Sequence, residues 1–221
     1  MADNDHVQAE GKAARIGKQP MAVVCAREGK KGKVYLAVDE LSDEDAICRR
    51  IDGLCRRAGL TVPDELINPL RPSPNARGLS AVTRHGFRTF GHLFTPRQML
   101  CLLTFAATVR ETYRVMTAAN YNPEHAKAVG TMLACNVDKL ADRNSQFCNL
   151  LADGGRGIKN TFARQALAMT WDFAEANPFN ADIASWQSCF KEIVWNIQDL
   201  SNKEPVQNNF SNWPLRFRGE G

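Results

Sequence analysis

The chain has 221 residues, 44% of them apolar and 24% charged, with a formal net charge of +4 and a pI near 8.7. These proportions suit a globular protein of one ordinary domain or two small ones, long enough to bury a core, and exclude a disordered or fibrous chain. The charge is compatible with nucleic acid but falls short of a dedicated DNA-binding domain, for which a pI above ~9 is usual.

Residues 1–19 are polar and carry Gly11 and Gly17, so the first dozen or so are expected to be loose. The start, Met1-Ala-Asp-Asn-Asp-His6, lacks the basic and apolar regions of a secretory signal. No run approaches the roughly 18 to 20 uncharged apolar residues of a membrane span. Residues 99–109 come nearest and are flanked by Arg97 and Arg110. A cytoplasmic location with no membrane partner follows as the expectation. Two short β-prone runs, Met21-Ala-Val-Val-Cys-Ala26 and Val34-Tyr-Leu-Ala-Val38, enclose a glycine-containing turn and predict a hairpin. A lone hairpin is marginal in water, so this one must lie against something else.

Ser42-Asp-Glu-Asp45 reads as a helix start, with serine as the cap and acids in the first turn. Ile47, Ile51, Leu54 and Ala58 continue it on one face, and Gly59 ends it. Arg49, Arg50, Arg56 and Arg57 occupy other faces, where arginine pairs either touch phosphate or form a solvated surface, the commoner role. Pro63, Pro69, Pro72 and Pro74 exclude regular helix and mark a linker. The expected organisation is therefore a hairpin plus helix over 1–62, a Pro-rich linker over 63–82, a helical domain over 83–200 and a flexible tail over 201–221. The fold class expected is mainly α with a small N-terminal β-hairpin, an α+β layout with a helical hairpin or bundle in the C-terminal two thirds.

Thr95-Pro-Arg-Gln98 combines a capping threonine, a proline at the first helical position and a glutamine able to bond back, which predicts a helix from 96 to about 119. Its broad apolar stripe includes Met99, Leu100, Leu102, Leu103 and Ala107. Asn122-Pro-Glu repeats the start signal, and a second helix through Val129, Leu133, Val137 and Leu140 completes a two-helix hairpin. Asp153-Gly-Gly-Arg-Gly157 lacks the strand and the spacing of a phosphate-binding loop and reads as a connection. Residues 160–175 have helical periodicity, and Trp186, Phe190, Ile193, Ile197 and Leu200 describe a last amphipathic helix starting near Asp182 or Ser185.

Chemistry-bearing patterns are sparse. The seven cysteines (Cys25, Cys48, Cys55, Cys101, Cys135, Cys148 and Cys189) include no C-x-x-C pair and read as reduced thiols used as small hydrophobes, so no metal site is expected. His6, His85, His92 and His125 lie apart, and His92 reads as a partly buried, hydrogen-bonded residue rather than a ligand. No nucleophile elbow or Cys–His pairing stands out, so no catalytic residue is assigned. Asn177-Pro178-Phe179 has the outline of a loop that grips a flipped adenine, with a polar head, a carbonyl and a stacking ring. It has only one proline and follows a helix-like run, so a helix-terminating Asn-Pro is the plainer account.

Several strings, taken in order, resemble one family. Phe90-Gly-His-Leu-Phe-Thr-Pro-Arg-Gln-Met-Leu100 is similar to the G-D-L-F-T-P-R-Q-L-L run of the large adenine-specific DNA methylases that contain a zinc ribbon. Asp138-Lys-Leu-Ala-Asp-Arg-Asn-Ser145 with Cys148, then Lys159-Asn-Thr-Phe-Ala-Arg-Gln-Ala-Leu167, then Met169-Thr-Trp-Asp-Phe-Ala-Glu-Ala-Asn-Pro-Phe179 follow the same order, and residues 9–17 with the hairpin fit the upstream portion. The resemblance spans about residues 8–200. It implies an S-adenosylmethionine-dependent enzyme that methylates N6 of adenine in DNA, in a restriction-modification setting.

It equally implies what this chain lacks. The family's D-P-F-x-G-G-G cofactor loop and zinc-ribbon cysteines lie upstream of the matching region, and its D-P-P-Y loop lies downstream. Ala168 stands where the family has proline, and Asn180 begins a departure from its glycine-rich spacing. The chain thus resembles an interior, non-catalytic fragment. No cofactor is expected in it, S-adenosylmethionine belongs to the complete enzyme, and the partners expected are DNA and the remaining parts of a split or complete methylase. Arg97, Arg143, Lys159 and Arg164 are the basic positions inside the matching strings and the candidates for phosphate contact, with surface charge or structural ion pairing as the alternative for each. Asn177, Pro178 and Phe179 are the base-pocket candidates. A stand-alone helical module that binds DNA or a partner subunit, without enzymatic activity, is the competing reading.

Overall fold

The computed structural model describes residues 3–26, 32–38, 43–69, 81–151, 157–163, 166–180 and 184–202. Among these the chain is mainly helical, with one small antiparallel sheet near the N-terminus, the α+β layout expected from the sequence.

The first element is one that the polar composition of residues 1–19 did not announce. Helix α1 (Asn4–Lys12) is capped by Asp3, whose carboxylate accepts from the His6 amide at 2.7 Å. Close backbone packing holds it in place of an apolar stripe. Gly11 is buried against the His85 backbone, at the end of a 3-10 helix (Ala81–His85), and Gly86 faces back onto the Gly11 carbonyl. A Cβ on either glycine would overlap the opposing main chain, and Gly86 also has a φ of +92°.

Strands β1 (Val23–Ala26) and β2 (Lys33–Leu36) form the expected hairpin, with Val23 opposite Leu36 and Cys25 opposite Val34. Helix α2 (Glu44–Ala58) begins one residue later than read. Asp43 is the cap, accepting from the Ala46 amide at 2.9 Å, and Ser42 lies outside the described residues. Gly59 ends the helix in the left-handed conformation at φ 60°, a backbone geometry that suits glycine at a helix C-terminus.

Residues 63–67 run beside 88–91. The Gly91 amide donates to the Pro63 carbonyl at 3.0 Å and the Ile67 amide to the Arg88 carbonyl at 2.8 Å, so the chain before residue 70 is backbone-paired despite its prolines. Ile67 and Val82, both from the 63–82 stretch, are buried with Leu93, Phe147 and Leu167 in one apolar cluster. A second cluster joins Ile47 and Ile51 of α2 to Met99 and Leu103 of α3 (Pro96–Ala118). Phe94 packs against both. Because Phe94 precedes the Thr95 cap and Met99 is the fourth helical residue, the pair has the arrangement of a hydrophobic staple that fixes how the chain enters α3.

Thr95 and Gln98 form the predicted capping box. α3 packs along α4 (Pro123–Arg143), and the connection turns at Asn120, which takes a left-handed φ of 58°. α4 in turn packs on α5 (Trp186–Ser201), whose cap is Ser185, one of the two starts expected. Residues 160–175 differ from expectation, because their described residues form no helix. Their polar backbone is satisfied by tertiary partners instead. The Ala174 amide donates to Cys148 O at 2.7 Å, Thr161 to Asp142 O at 2.8 Å, and Leu167 O accepts from Val82. Leu167 is buried and Met169 packs on the same cluster without helical phase. The glycine-rich 153–157 segment, apart from Gly157, and the tail from 203 onward lie outside the described residues.

The glycine contact gives a direct test. Gly86→Ala should cost more than about 1 kcal/mol, since it combines a forbidden φ with main-chain overlap at Gly11. Limited trypsin digestion should then release α1 by cutting at Lys12 or Arg15 well before wild type, and equal protection of the two proteins would refute the account.

Candidate functional site

The first turn of α3 places Thr95, Arg97 and Gln98 together. The Thr95 hydroxyl accepts from the Gln98 amide at 3.2 Å, and the Gln98 side-chain oxygen accepts from the Thr95 amide at 2.9 Å. Gln98 is almost wholly buried, so its remaining amide protons require an internal partner. Its Nε2 donates to Asn144 Oδ1 at 3.2 Å, and the same oxygen accepts from the Ala176 amide at 3.1 Å. Asn144, at the C-cap of α4 and itself buried, therefore ties the start of α3 to the 174–177 segment.

Arg97 completes the joint. Its guanidinium grips Glu175 with two bonds, Nε to Oε1 at 2.8 Å and Nη2 to Oε2 at 3.0 Å, and the Thr95 hydroxyl donates to Glu175 Oε2 at 3.3 Å. The carboxylate raises the pKa of Arg97 further, in the manner of a charge-assisted bidentate pair. Three of the four strings singled out in the sequence thus meet here, contributing Thr95, Arg97 and Gln98, then Asn144, then Glu175 and Ala176.

The fourth string joins one residue away. Ser145 Oγ lies 2.7 Å from Thr161 Oγ1, Cys148 Sγ lies 3.2 Å from the same hydroxyl, and Thr161 Oγ1 donates to the Asp142 carbonyl at 2.9 Å. Ser145 and Cys148 are fully buried. Their hydroxyl and thiol contact each other, Thr161 and backbone, a set that clamps residues 159–163 onto the end of α4. Among the described residues, neither group bonds to a base that could activate it as a nucleophile.

Arg143, a second candidate for phosphate contact, is likewise engaged. It donates twice to Glu192 of α5, at 2.7 and 3.1 Å, and Lys139 donates to the same carboxylate at 2.6 Å. Arg143 first and then Lys139 hold Glu192 below the usual carboxylate value, with burial opposing them. Lys159 is exposed, and its backbone amide bonds to Asn149 O at 2.9 Å. Arg164 lies outside the described residues. Arg97 and Arg143 are bound to different carboxylates on different elements.

Asn177-Pro178-Phe179 forms a turn, and no helix precedes it. The helix-terminating account therefore gives way to an Asx turn, in which Asn177 Oδ1 accepts from the Phe179 amide at 3.0 Å. The Pro178 carbonyl accepts from the Trp186 amide at 2.9 Å, at the start of α5. The two acceptors that a flipped adenine would use each receive a bond from the protein itself. Phe179 is largely exposed, with its ring 5.7 Å from Phe105, which stacks on Trp186 at 4.4 Å. His92 is exposed and accepts from the Arg88 amide at 3.1 Å, so it is hydrogen-bonded but not buried as expected.

The sequence reading missed Glu175, Asn144 and Glu192 as partners. Arg97 and Glu175 are 78 residues apart, a separation for which one sequence carries no local signal. Among the described residues, no group of three or more His, Cys, Asp or Glu is arranged to hold a metal ion, and no helix is long and apolar enough to cross a membrane. Compared with family models, curated proteins and solved structures, the chain matches none.

Two outcomes follow from the two joints. Asn144→Ala strands the buried Gln98 amide and the Ala176 N–H, and should cost on the order of 1–3 kcal/mol in chemical denaturation while accelerating hydrogen exchange at Ala176. Normal exchange there would remove Asn144 from the joint. For Glu192, a depressed pKa means that its contribution is present above the unfolded value near 4.5 and fades as pH falls through the lower folded value. Glu192→Gln should therefore be less stable than wild type at neutral pH and converge with it in acid, as read by denaturation midpoints across that range. A gap that persists unchanged at low pH would contradict the ion-pair origin.

Proposed function

We propose that the chain is an interior, non-catalytic helical segment of an S-adenosylmethionine-dependent, adenine-specific (N6) DNA methyltransferase, acting in the cytoplasm within a restriction-modification system. In this reading it scaffolds the enzyme and packs against parts that carry the cofactor loop and the D-P-P-Y loop.

The family comes from the ordered strings described above. The observation that carries the scaffold role is uncovered apolar surface in two places. On the hairpin, Met21, Val23, Val24, Tyr35 and Leu36 are exposed, and in the C-terminal half of α5 so are Trp195, Ile197 and Leu200. A two-stranded hairpin with wet apolar side chains is marginal alone, and contiguous apolar surface on a folded protein marks a place where something docks. The way the strings meet at Asn144 supports the same role. Their polar side chains are used to join α3, α4 and the 174–177 segment, so they position structure instead of presenting reactive groups.

Isothermal titration of the purified chain with S-adenosylmethionine should show no binding, because the groups that hold the methyl donor belong to other parts of the enzyme. Micromolar binding by the chain alone would overturn the proposal. Reading frames adjacent to this one that encode the two missing loops would support it.

The competing reading, a module that binds DNA without catalysis, is favoured by one specific observation, the state of the arginines on α2.

A further inference from the structure

Arg49, Arg50 and Arg57 of α2 line an open cleft of about 570 Å³, whose opposite wall is formed by Leu100 and Thr104 of α3. Among the described residues, the lining holds no acidic side chain. Among the described residues the only ion pair made by these arginines is a loose one, Arg49 to Asp43 at 3.9 Å. This contrasts with Arg97 and Arg143, which each grip a carboxylate at 2.8 Å or less.

Arg57 folds back along its own helix, with its Nη1 3.2 Å from where a Cβ on Gly53 would stand. Arg110 of α3 donates to the carbonyls of Ala58 and Gly59, the latter at 2.8 Å, which fixes the end of α2 against α3 and holds the cleft walls together.

We propose that this cleft is a phosphate-binding site that receives the backbone of duplex DNA. Guanidinium forks match phosphate oxygens bidentately, and a lining that is purely basic in its charge complements a polyanion. Arg50 and Arg57 are two helical turns apart, about 10.5 Å along the axis at 1.5 Å per residue. Guanidiniums at that separation engage separate phosphates. Such contacts position DNA without reading its sequence. The proposal draws on the preceding section only for DNA as the phosphate source, and it stands or falls separately from the methylase assignment, which the cofactor titration tests.

The experiment is fluorescence anisotropy of the full chain with a short labelled duplex, titrated between about 50 and 200 mM salt. Wild type should bind with an affinity that falls steeply with salt. The Arg50→Ala, Arg57→Ala double variant should weaken binding at least about tenfold at low salt and reduce the log–log salt slope by about 2, close to one unit per lost phosphate contact. Arg56→Ala removes an exposed α2 arginine that does not line the cleft and should have a clearly smaller effect.

Equal losses from the Arg56 variant and from each cleft arginine would show diffuse charge and no site. Undiminished binding by the double variant would place DNA elsewhere on the chain and overturn the cleft. No binding by wild type at low salt would overturn both the cleft and DNA as a partner. Displacement of DNA by an acidic peptide at a lower concentration than by unlabelled duplex would assign the cleft to a protein partner instead. Circular dichroism of each variant, expected to match wild type because the arginines are exposed, separates these outcomes from misfolding.

Discussion

The architecture turns on one buried oxygen. Asn144, the C-cap residue of α4, accepts at its Oδ1 from a glutamine side chain of α3 and from a backbone amide of the 174–177 segment, so three parts of the chain distant in sequence are joined at a single acceptor. In a low-dielectric interior an unpaired donor is expensive, which makes the arrangement nearly all-or-none. The Arg97–Glu175 fork at its rim adds charge, but partial exposure limits its contribution to the modest range of solvent-screened pairs. Specificity of assembly therefore resides in the neutral amides, and the ion pair reinforces it.

What was legible in the sequence follows from the range of the interactions. The capping box at Thr95, the Asn122 cap, the glycine stop at Gly59 and the hairpin all depend on residues within a few positions of one another, and each formed where it was read. Residues 160–175 failed for the opposite reason. Their 3.6-residue periodicity was real in composition, yet their amides and carbonyls found tertiary partners at Asp142, Cys148 and Val82, which no window of sequence reveals. α1 escaped notice because its anchor is the close approach of Gly11 and Gly86, and glycine carries no hydropathy signal. The site was least legible of all. The basic residues within the motif strings were read as candidates for phosphate contact or for structural ion pairing, and which carboxylates hold Arg97 and Arg143 could not be read from the sequence.

Charge is consequently partitioned by location. On the α3–α4–α5 side, cations meet anions at partly exposed joints and fasten elements together. On α2 the cations line a cleft whose described walls carry no acidic side chain. Apolar surface is partitioned as well, with two clusters bridged by Phe94 forming the interior while the hairpin and the C-terminal half of α5 carry exposed apolar side chains. A scaffold that packs inward through one set of faces and outward through another would be built in this way.

The staple of Phe94 and Met99 around the Thr95 cap sets more than the start of α3. An α-helix turns by about 100° per residue, so the residue at which it begins determines the compass bearing of every side chain along it. A slip of one position at Thr95 would rotate Leu100 and Thr104 away from α2, withdraw Leu102 and Leu103 from the interior, and swing Arg110 off the carbonyls of Ala58 and Gly59. A few atoms at one end thus act as the index mark for a 23-residue rod, and the orientation of the basic cleft is inherited from them.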